Sequence, residues 1–268
     1  LSLVAFGFSV YTFVSQGDAK YGTDFSGGHE FLVSFTTSQD SETIRKGLEA
    51  QGLSELRVQA FQGEANEYSV QSVRSKVEVA LKAAFGDAAR IDKSDYVGPT
   101  VGAELRKSAL LAVVVGIIGM LIYIAIRFEF AVGLGTIVAL VHDVTISTGV
   151  YLLSGHVISM ATLAGALTIV GYSVNDTVVI FDRVREERKK RRSYKMTDVV
   201  NEALNFTLSR TVITHVLTLF SAVALYIIGT GEIKDLSLYL VAGIVLGAYS
   251  TVFVVCPIVV WWEGRKTS

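Results

Sequence analysis

Three apolar stretches of this chain carry side chains that can ionise, and they are where its chemistry must be sought. Asp176 lies in TIVGYSVNDTVVIFDRVREERKKRR, residues 168–192, directly after Asn175 and four residues after Tyr172. His142 and Asp143 sit together in a second stretch, followed by Thr145, Ser147 and Thr148. A third opens with Thr207, Arg210, Thr211, Thr214, His215, Thr218 and Ser221. A carboxylate on a helix inside a bilayer costs about 2.5–3.5 kcal/mol on insertion scales, so it is a functional candidate by default. Tyr172 and Asp176 share a helix face, and residues 207, 211, 214, 218 and 221 form a polar stripe with Arg210 beside it. The chemistry such groups support is a proton relay, an acid governed by a neighbouring arginine and by changing hydration. The competing account is a structural Asp176–Arg210 ion pair, with the arginine reaching to the headgroups. His142 and Asp143 either join the relay or pair locally.

Hydrolytic chemistry finds less support. Gly171-Tyr172-Ser173 with His215 one helix away distantly resembles a rhomboid-type dyad, but Val174 stands where a second glycine is usual. Asp143 and Asp176 offer two acids to an aspartyl protease, yet neither is preceded by GxG. No metal-ligand spacing, P-loop or dinucleotide fingerprint appears. The expectation is therefore no enzyme, no metal and no cofactor, with protons as the coupling ion.

The elements that position these residues are membrane spans. The chain has 268 residues, is 51% hydrophobic and 18% charged, and has a mean hydropathy of +0.48. Several runs are long enough to cross a bilayer. Residues 1–14 are apolar but short, and the start at Leu1, without Met or a basic n-region, reads as a truncated first span or the continuation of a longer polypeptide. Five further runs follow, at 109–126, 131–153, 157–181, 208–228 and 236–262. Glycines at 116, 119, 133, 135, 165, 171, 243 and 247 allow close helix approach, and Gly243 and Gly247 make a GxxxG. Cys256 is the one cysteine, so no intrachain disulfide forms.

Residues 15–107 differ in character, with 14 acidic and 11 basic side chains. HEFLVSF (29–35) alternates as a strand does, and a helix follows over 40–51. LRVQAF (56–61) and EYSVQSV (67–73) flank a Gly63–Asn66 turn as a hairpin. A second helix runs over 75–85, and ARIDKSDYV (89–97) supplies a last strand. The order βαββαβ predicts a ferredoxin-like α+β domain. The fold class is thus an α-helical polytopic membrane protein with six transmembrane helices and a ferredoxin-like domain between spans one and two. Its parts are a first span over 1–14, the α+β domain over 15–107, and a five-helix bundle over 108–268 with a basic loop at 182–205.

Orientation follows from Lys and Arg. Residues 183–195 hold eight of them, while the loops after spans three and five carry only Lys234. Positive charge marks the cytoplasmic side, so both ends are expected there and residues 15–107 outside, in the periplasm. The basic block lies against a span without interleaved aromatics, so it indicates membrane lipid and no nucleic acid.

Five segments together resemble the SecF family of protein-export membrane proteins, in that family's order: GTDFSGG (22–28), DYVGPTVGAEL (95–105), ALVHDV (139–144), GYSVNDTVVIFDRVRE (171–186) and LSRTVIT (208–214). The family belongs to the resistance–nodulation–division superfamily. The resemblance implies a bacterial inner-membrane subunit that works with SecD, as a separate or fused chain, beside the SecYEG channel and YajC. It would use the proton-motive force to draw preproteins outward. It also implies that Asp176 and Arg210 are the relay; beside them, the residues themselves offer Asn175, Tyr172, Asp143, His142, Thr214 and His215 as further members or supports. His215 departs from the small or hydroxyl residues usual there. Glycine and proline cluster where the domain meets the spans, so Asp24, Gly27, Gly28, Gly98 and Pro99 are the expected hinges. The alternatives are a passive scaffold of the translocon and a proton-coupled efflux transporter of the same superfamily.

Overall fold

The computed structural model of the chain describes residues 2–53, 56–60, 66–72, 76–190 and 194–266. It opens with an apolar helix, α1 (Ser2–Ser15), and a single turn, α2 (Thr23–Ser26). The α+β part follows as β1 (Gly28–Phe35), α3 (Ser41–Ala50), β2 (Leu56–Ala60), β3 (Glu67–Ser72), α4 (Val77–Phe85) and β4 (Ala89–Val97). All strand pairings are antiparallel, in the order β2-β3-β1-β4. The expected hairpin is present as the β2–β3 pair, with Val58 opposite Val70. Its turn lies outside the described residues apart from Asn66.

Alternation decides which face of the sheet is covered. Phe31, Val33 and Phe35 point one way from β1 and pack with Val70, Ile44, Leu48 and Leu81 in a closed core. Phe35 meets the rings of Tyr68 and Phe85 edge-on, at 5.5 and 5.2 Å between centroids. Glu30, Leu32, Arg57, Ser69, Gln71 and Lys93 point the other way and line a cavity of about 610 Å³. Its opposite wall is made by the ends of the membrane helices, around Gly155, His156 and Asp235. Arg57 Nη2 donates to the Gly155 carbonyl at 3.2 Å across it.

Five long helices complete the chain: α5 (Pro99–Arg127), α6 (Phe130–Leu153), α7 (Met160–Lys190), α8 (Met196–Ile228) and α9 (Glu232–Ser250). The last runs through a π-helical turn, Thr251–Val255, into α10 (Cys256–Lys266). Pro257 explains the turn, because it has no N–H for the carbonyl four residues back and its ring crowds that carbonyl. α5, α6, α7, α8 and the continuous 232–265 segment are each long and apolar enough to cross a membrane, while α1 is apolar but shorter. Only 11% of the apolar windows of α5 and α8 is buried, against 56% for α6, so α6, α7 and α9 form the centre.

Glycine sets the closest approach within that centre. An added Cβ at Gly243 would overlap Ile169 of α7, and one at Gly165 would lie 2.9 Å from the Tyr239 ring of α9. Gly247 faces Ser173, so the GxxxG of α9 is its contact with α7. A Gly243→Val substitution is expected to cost about 1–3 kcal/mol by overpacking. Thermal unfolding in detergent checks this, with Gly119→Val as the control, since nothing lies within 4 Å of a Cβ there.

The stretch expected to be a basic loop at 182–205 is largely helical. α7 continues to Lys190 and α8 begins at Met196. Long charged side chains are good helix formers, and here they pair along and between helices. Arg183 reaches Glu187 at 2.7 Å and Glu186 at 2.8 Å, and Arg188 reaches Glu263 of α10 at 2.9 Å. Likewise α5 starts at Pro99, well ahead of the apolar run at 109–126.

Candidate functional site

Asp176 lies on α7 about 24 Å along the helix from Met160, at a rise of 1.5 Å per residue. It is 4% exposed. The side chain that faces it is His215 of α8, whose Nε2 stands 3.0 Å from Oδ2. Arg210 is exposed and, among the described residues, makes no ion pair with Asp176. Helix geometry accounts for this. Five residues is about 500° of rotation, so Arg210 and His215 point to different sides of α8. Comparable depth, a short connection and the family resemblance all join Asp176 to Arg210, but none of them determines which side of a helix faces its neighbour.

The histidine's other nitrogen constrains the pair. His215 Nδ1 is 2.9 Å from the Thr211 carbonyl, which can only accept, so Nδ1 carries a proton. In a neutral imidazole Nε2 then presents a lone pair to Oδ2. Neither atom has another hydrogen-bond partner, and both are buried. Two lone pairs at that separation repel, so a proton is held there, on the acid or on the imidazole. A contact of this kind has room for one exchangeable proton.

Tyr172 closes one side of it. Its ring meets His215 edge-on at 5.2 Å, and its hydroxyl donates to the Thr214 carbonyl at 3.1 Å and to Thr218 Oγ1 at 3.2 Å. The polar stripe of α8 is mostly turned on its own helix, for Thr207, Thr214, Thr218 and Ser221 each donate to a carbonyl three or four residues back. Asn175 is exposed. Removing the imidazole with His215→Leu should leave Asp176 buried without its polar neighbour and cost about 1–3 kcal/mol. Adding Asp176→Leu should recover most of that loss, which unfolding of the two variants would show.

The other acid forms a separate cluster across α7. Asp143 is fully buried. His142 Nδ1 lies 2.9 Å from its Oδ1, while Ser173 of α7 and Ser250 of α9 donate to Oδ2 at 2.9 and 2.6 Å. His142 Nε2 is 2.5 Å from Ser2 Oγ of α1. Sequence reasoning singled out His142 and Asp143 but missed Ser250 and Ser2. Each is a lone serine in an apolar run, distant in the chain from its partner, and no spacing rule marks it.

The expected hinges come together. Gly27 has φ +73° and ψ 167°, a region open essentially to glycine, and the position of its Cβ lies 3.0 Å from Pro99 Cα. Gly28 also has positive φ, at 126°. Gly98 and Pro99 start α5 as N-cap and first helical residue, where proline's fixed φ suits the helix. Asp24 Oδ2 accepts from the Met160 N–H at 2.9 Å, and Gly22 and Lys20 exchange backbone bonds with Ile158. The first junction of the domain therefore rests on the start of α7, the helix that carries Asp176, and the second packs on the first through Gly27, Pro99 and Gly102.

Comparison with known proteins gives this arrangement a context. Residues 76–265 match the family described as protein export membrane protein SecD/SecF, C-terminal. The chain is 38% identical over 256 residues to protein translocase subunit SecDF of Thermus thermophilus, covering 92% of this chain and 35% of that one. It is 35% identical over 269 residues to protein translocase subunit SecF of Vibrio alginolyticus, covering 94% and 85%. The crystal structure of SecDF, a translocon-associated membrane protein from Thermus thermophilus, overlays with a TM-score of 0.89 at 35% identity, covering 98% of this chain and 37% of that one. A second structure, SecDF in a super-membrane-facing form, gives 0.73 at 36% identity, covering 99% and 37%. The chain thus spans about a third of the SecDF proteins and most of the SecF protein.

Proposed function

This chain belongs to the SecD/SecF family of protein-export membrane proteins, and on that premise we propose that it is a proton-driven SecF unit of a preprotein translocase. The observation that carries the reading is the buried contact between Asp176 Oδ2 and His215 Nε2, 3.0 Å apart between α7 and α8. Asp176 exchanges a proton with the two sides of the membrane in two conformations, and the difference moves the domain. One elementary charge crossing 100 mV is worth about 2.3 kcal/mol, so a few protons suffice to drive such a motion. Arg210, exposed at membrane depth, lies where water or a partner subunit reaches it and sets the field at the acid in one of the two states. The two solved SecDF forms match this chain to different extents, 0.89 and 0.73 in TM-score, which supports a moving assembly.

The finer architecture follows the same reading. The sheet order β2-β3-β1-β4 with both helices on one face supports a ferredoxin-like domain. The short α1 supports a sixth span. The Lys/Arg distribution supports both ends on the cytoplasmic side of a bacterial inner membrane and the domain in the periplasm. SecD is the partner, as the fused relative supports. SecYEG, YajC and the translocating preprotein are the further partners. The chain is a transport subunit and not an enzyme, it takes no cofactor, and protons are its coupling ion.

The test uses membrane vesicles from cells depleted of this chain, replenished with it or not. Replenishment is expected to restore the part of preprotein translocation that a protonophore abolishes. A passive scaffold would restore translocation equally with and without the gradient, and that result would sink the reading.

A further inference from the structure

The His142–Asp143 cluster is not used by the mechanism above, yet Asp143 is the most deeply buried acid among the described residues. It lies about 20 Å along α6 from Phe130, near the middle of that helix. Four elements meet at it: α1 through Ser2, α6 through His142 and Asp143, α7 through Ser173, and α9 through Ser250. The titratable neighbour on α9 is Tyr249, whose ring stacks on His142 at 6.2 Å between centroids. On α7, Asp176 is three residues from Ser173 and faces α8. From α1 the facing group is the neutral Ser2 hydroxyl.

Three features set this cluster apart from a static ion pair. Ser147, one turn beyond Asp143 on the same helix, is fully buried and its hydroxyl has no partner, so a polar group is held in reserve beside the acid. Ser250 is the last residue before the π-helical turn Thr251–Val255, a form that appears mostly as single-turn bulges and often at functional sites. A shift of that turn would carry the Ser250 hydroxyl toward or away from Oδ2. Finally, His142 contacts α1, the helix that leads into the domain.

We propose that His142 and Asp143 form a second proton-exchanging site, whose occupancy sets the direction of the hydrogen bond to the first span. With the imidazole neutral, Nδ1–H donates to Asp143 and Nε2 accepts from the Ser2 hydroxyl. Taking up one proton makes the imidazolium, held against the carboxylate, and Nε2–H then donates to Ser2 Oγ. Releasing the same proton restores the first state, and no other bond changes. The inference rests on the proton-driven reading, because it gives the moving α1 a partner that responds to protons. Its site, however, is separate from Asp176.

The separation makes the test clean. The chain has four histidines, at 29, 142, 156 and 215, so nitrogen-15 histidine spectra of the full-length protein with SecD in lipid bilayers can be assigned by single His→Gln variants. His142 is expected to pass between neutral and doubly protonated ring signals as pH is lowered, and Ser2→Ala is expected to move its Nε2 signal. A His142 ring that keeps one form throughout the pH range over which the complex remains folded overturns the proposal. Asp143→Asn should abolish the doubly protonated signal. If that variant does not fold, Ser250→Ala, which removes one donor from Oδ2 and leaves the acid in place, should still shift the titration of His142, and an unshifted titration counts against the proposal. The His215 signal in the same spectra reports on the Asp176 contact, so failure of the one reading is seen apart from failure of the other.

Discussion

An Asp176→Asn protein is expected to assemble with SecD and to lose the whole gradient-dependent component of preprotein transport. Asparagine keeps the size of the side chain and can still approach His215 Nε2, now as an N–H donor to its lone pair. The site is therefore filled and its packing against α8 survives. What disappears is the exchangeable proton, because an amide does not cycle one at any physiological pH. The residue is 4% exposed and its facing partner is a single imidazole, so no neighbouring acid stands ready to replace it. Vesicles containing the SecD partner, assayed with and without a proton gradient, measure the effect. Transport that keeps its gradient dependence while the complex is intact would make Asp176 a structural acid. His215→Gln belongs in the same assay, since it keeps much of the bulk and tests whether the imidazole shares the load.

Gly27→Ala is expected to impair the domain junction strongly, whereas Gly98→Ala is expected to be close to neutral. The contrast is sharp because the two residues look alike in sequence, each a glycine in a turn beside the membrane. Gly27 has φ +73° and ψ 167°, where any side chain costs about 1–3 kcal/mol, and its Cβ would press on the Pro99 backbone at 3.0 Å. Backbone cannot rotate away as a side chain can. Gly98 has φ −64° with only the Tyr96 side chain near, its hydroxyl at 3.9 Å, a conformation and a space that alanine accepts. Export activity together with limited proteolysis of the domain reads the difference. Equal tolerance at both positions would mean that the domain does not depend on this contact.

The hinge glycines also show the limit of reading composition. The clustering of Gly and Pro at both junctions was legible, but the close fit of Gly27 onto α5, which its backbone conformation permits, was not. Whether a glycine is a hinge or a point of contact depends on what lies opposite it, and that is set by packing between segments far apart in the chain. The same holds for Asp176. Its burial in a span and its proximity to α8 followed from hydropathy and short connections, while its partner followed from helix rotation. Rotation depends on which side chains fill the α7–α8 contact, and with Tyr172 packed on His215 the imidazole turns inward and Arg210 outward.

What the amino-acid sequence by itself determined is the set of elements: strands by twofold alternation, helices by apolar length, and the ionisable residues that a membrane makes costly. These are local properties, written in neighbouring residues: β1 to β4 lie close to where alternation places them, and the five long helices lie over the apolar runs while three of them extend well beyond. Tertiary structure alone decided the pairings: His215 with Asp176, Ser173 and Ser250 with Asp143, and Ser2 with His142. A hydroxyl or an imidazole in an apolar run looks the same whether it bonds its own helix or another. Only the packed bundle excludes water from that choice, and the missing water is what makes each of these contacts necessary.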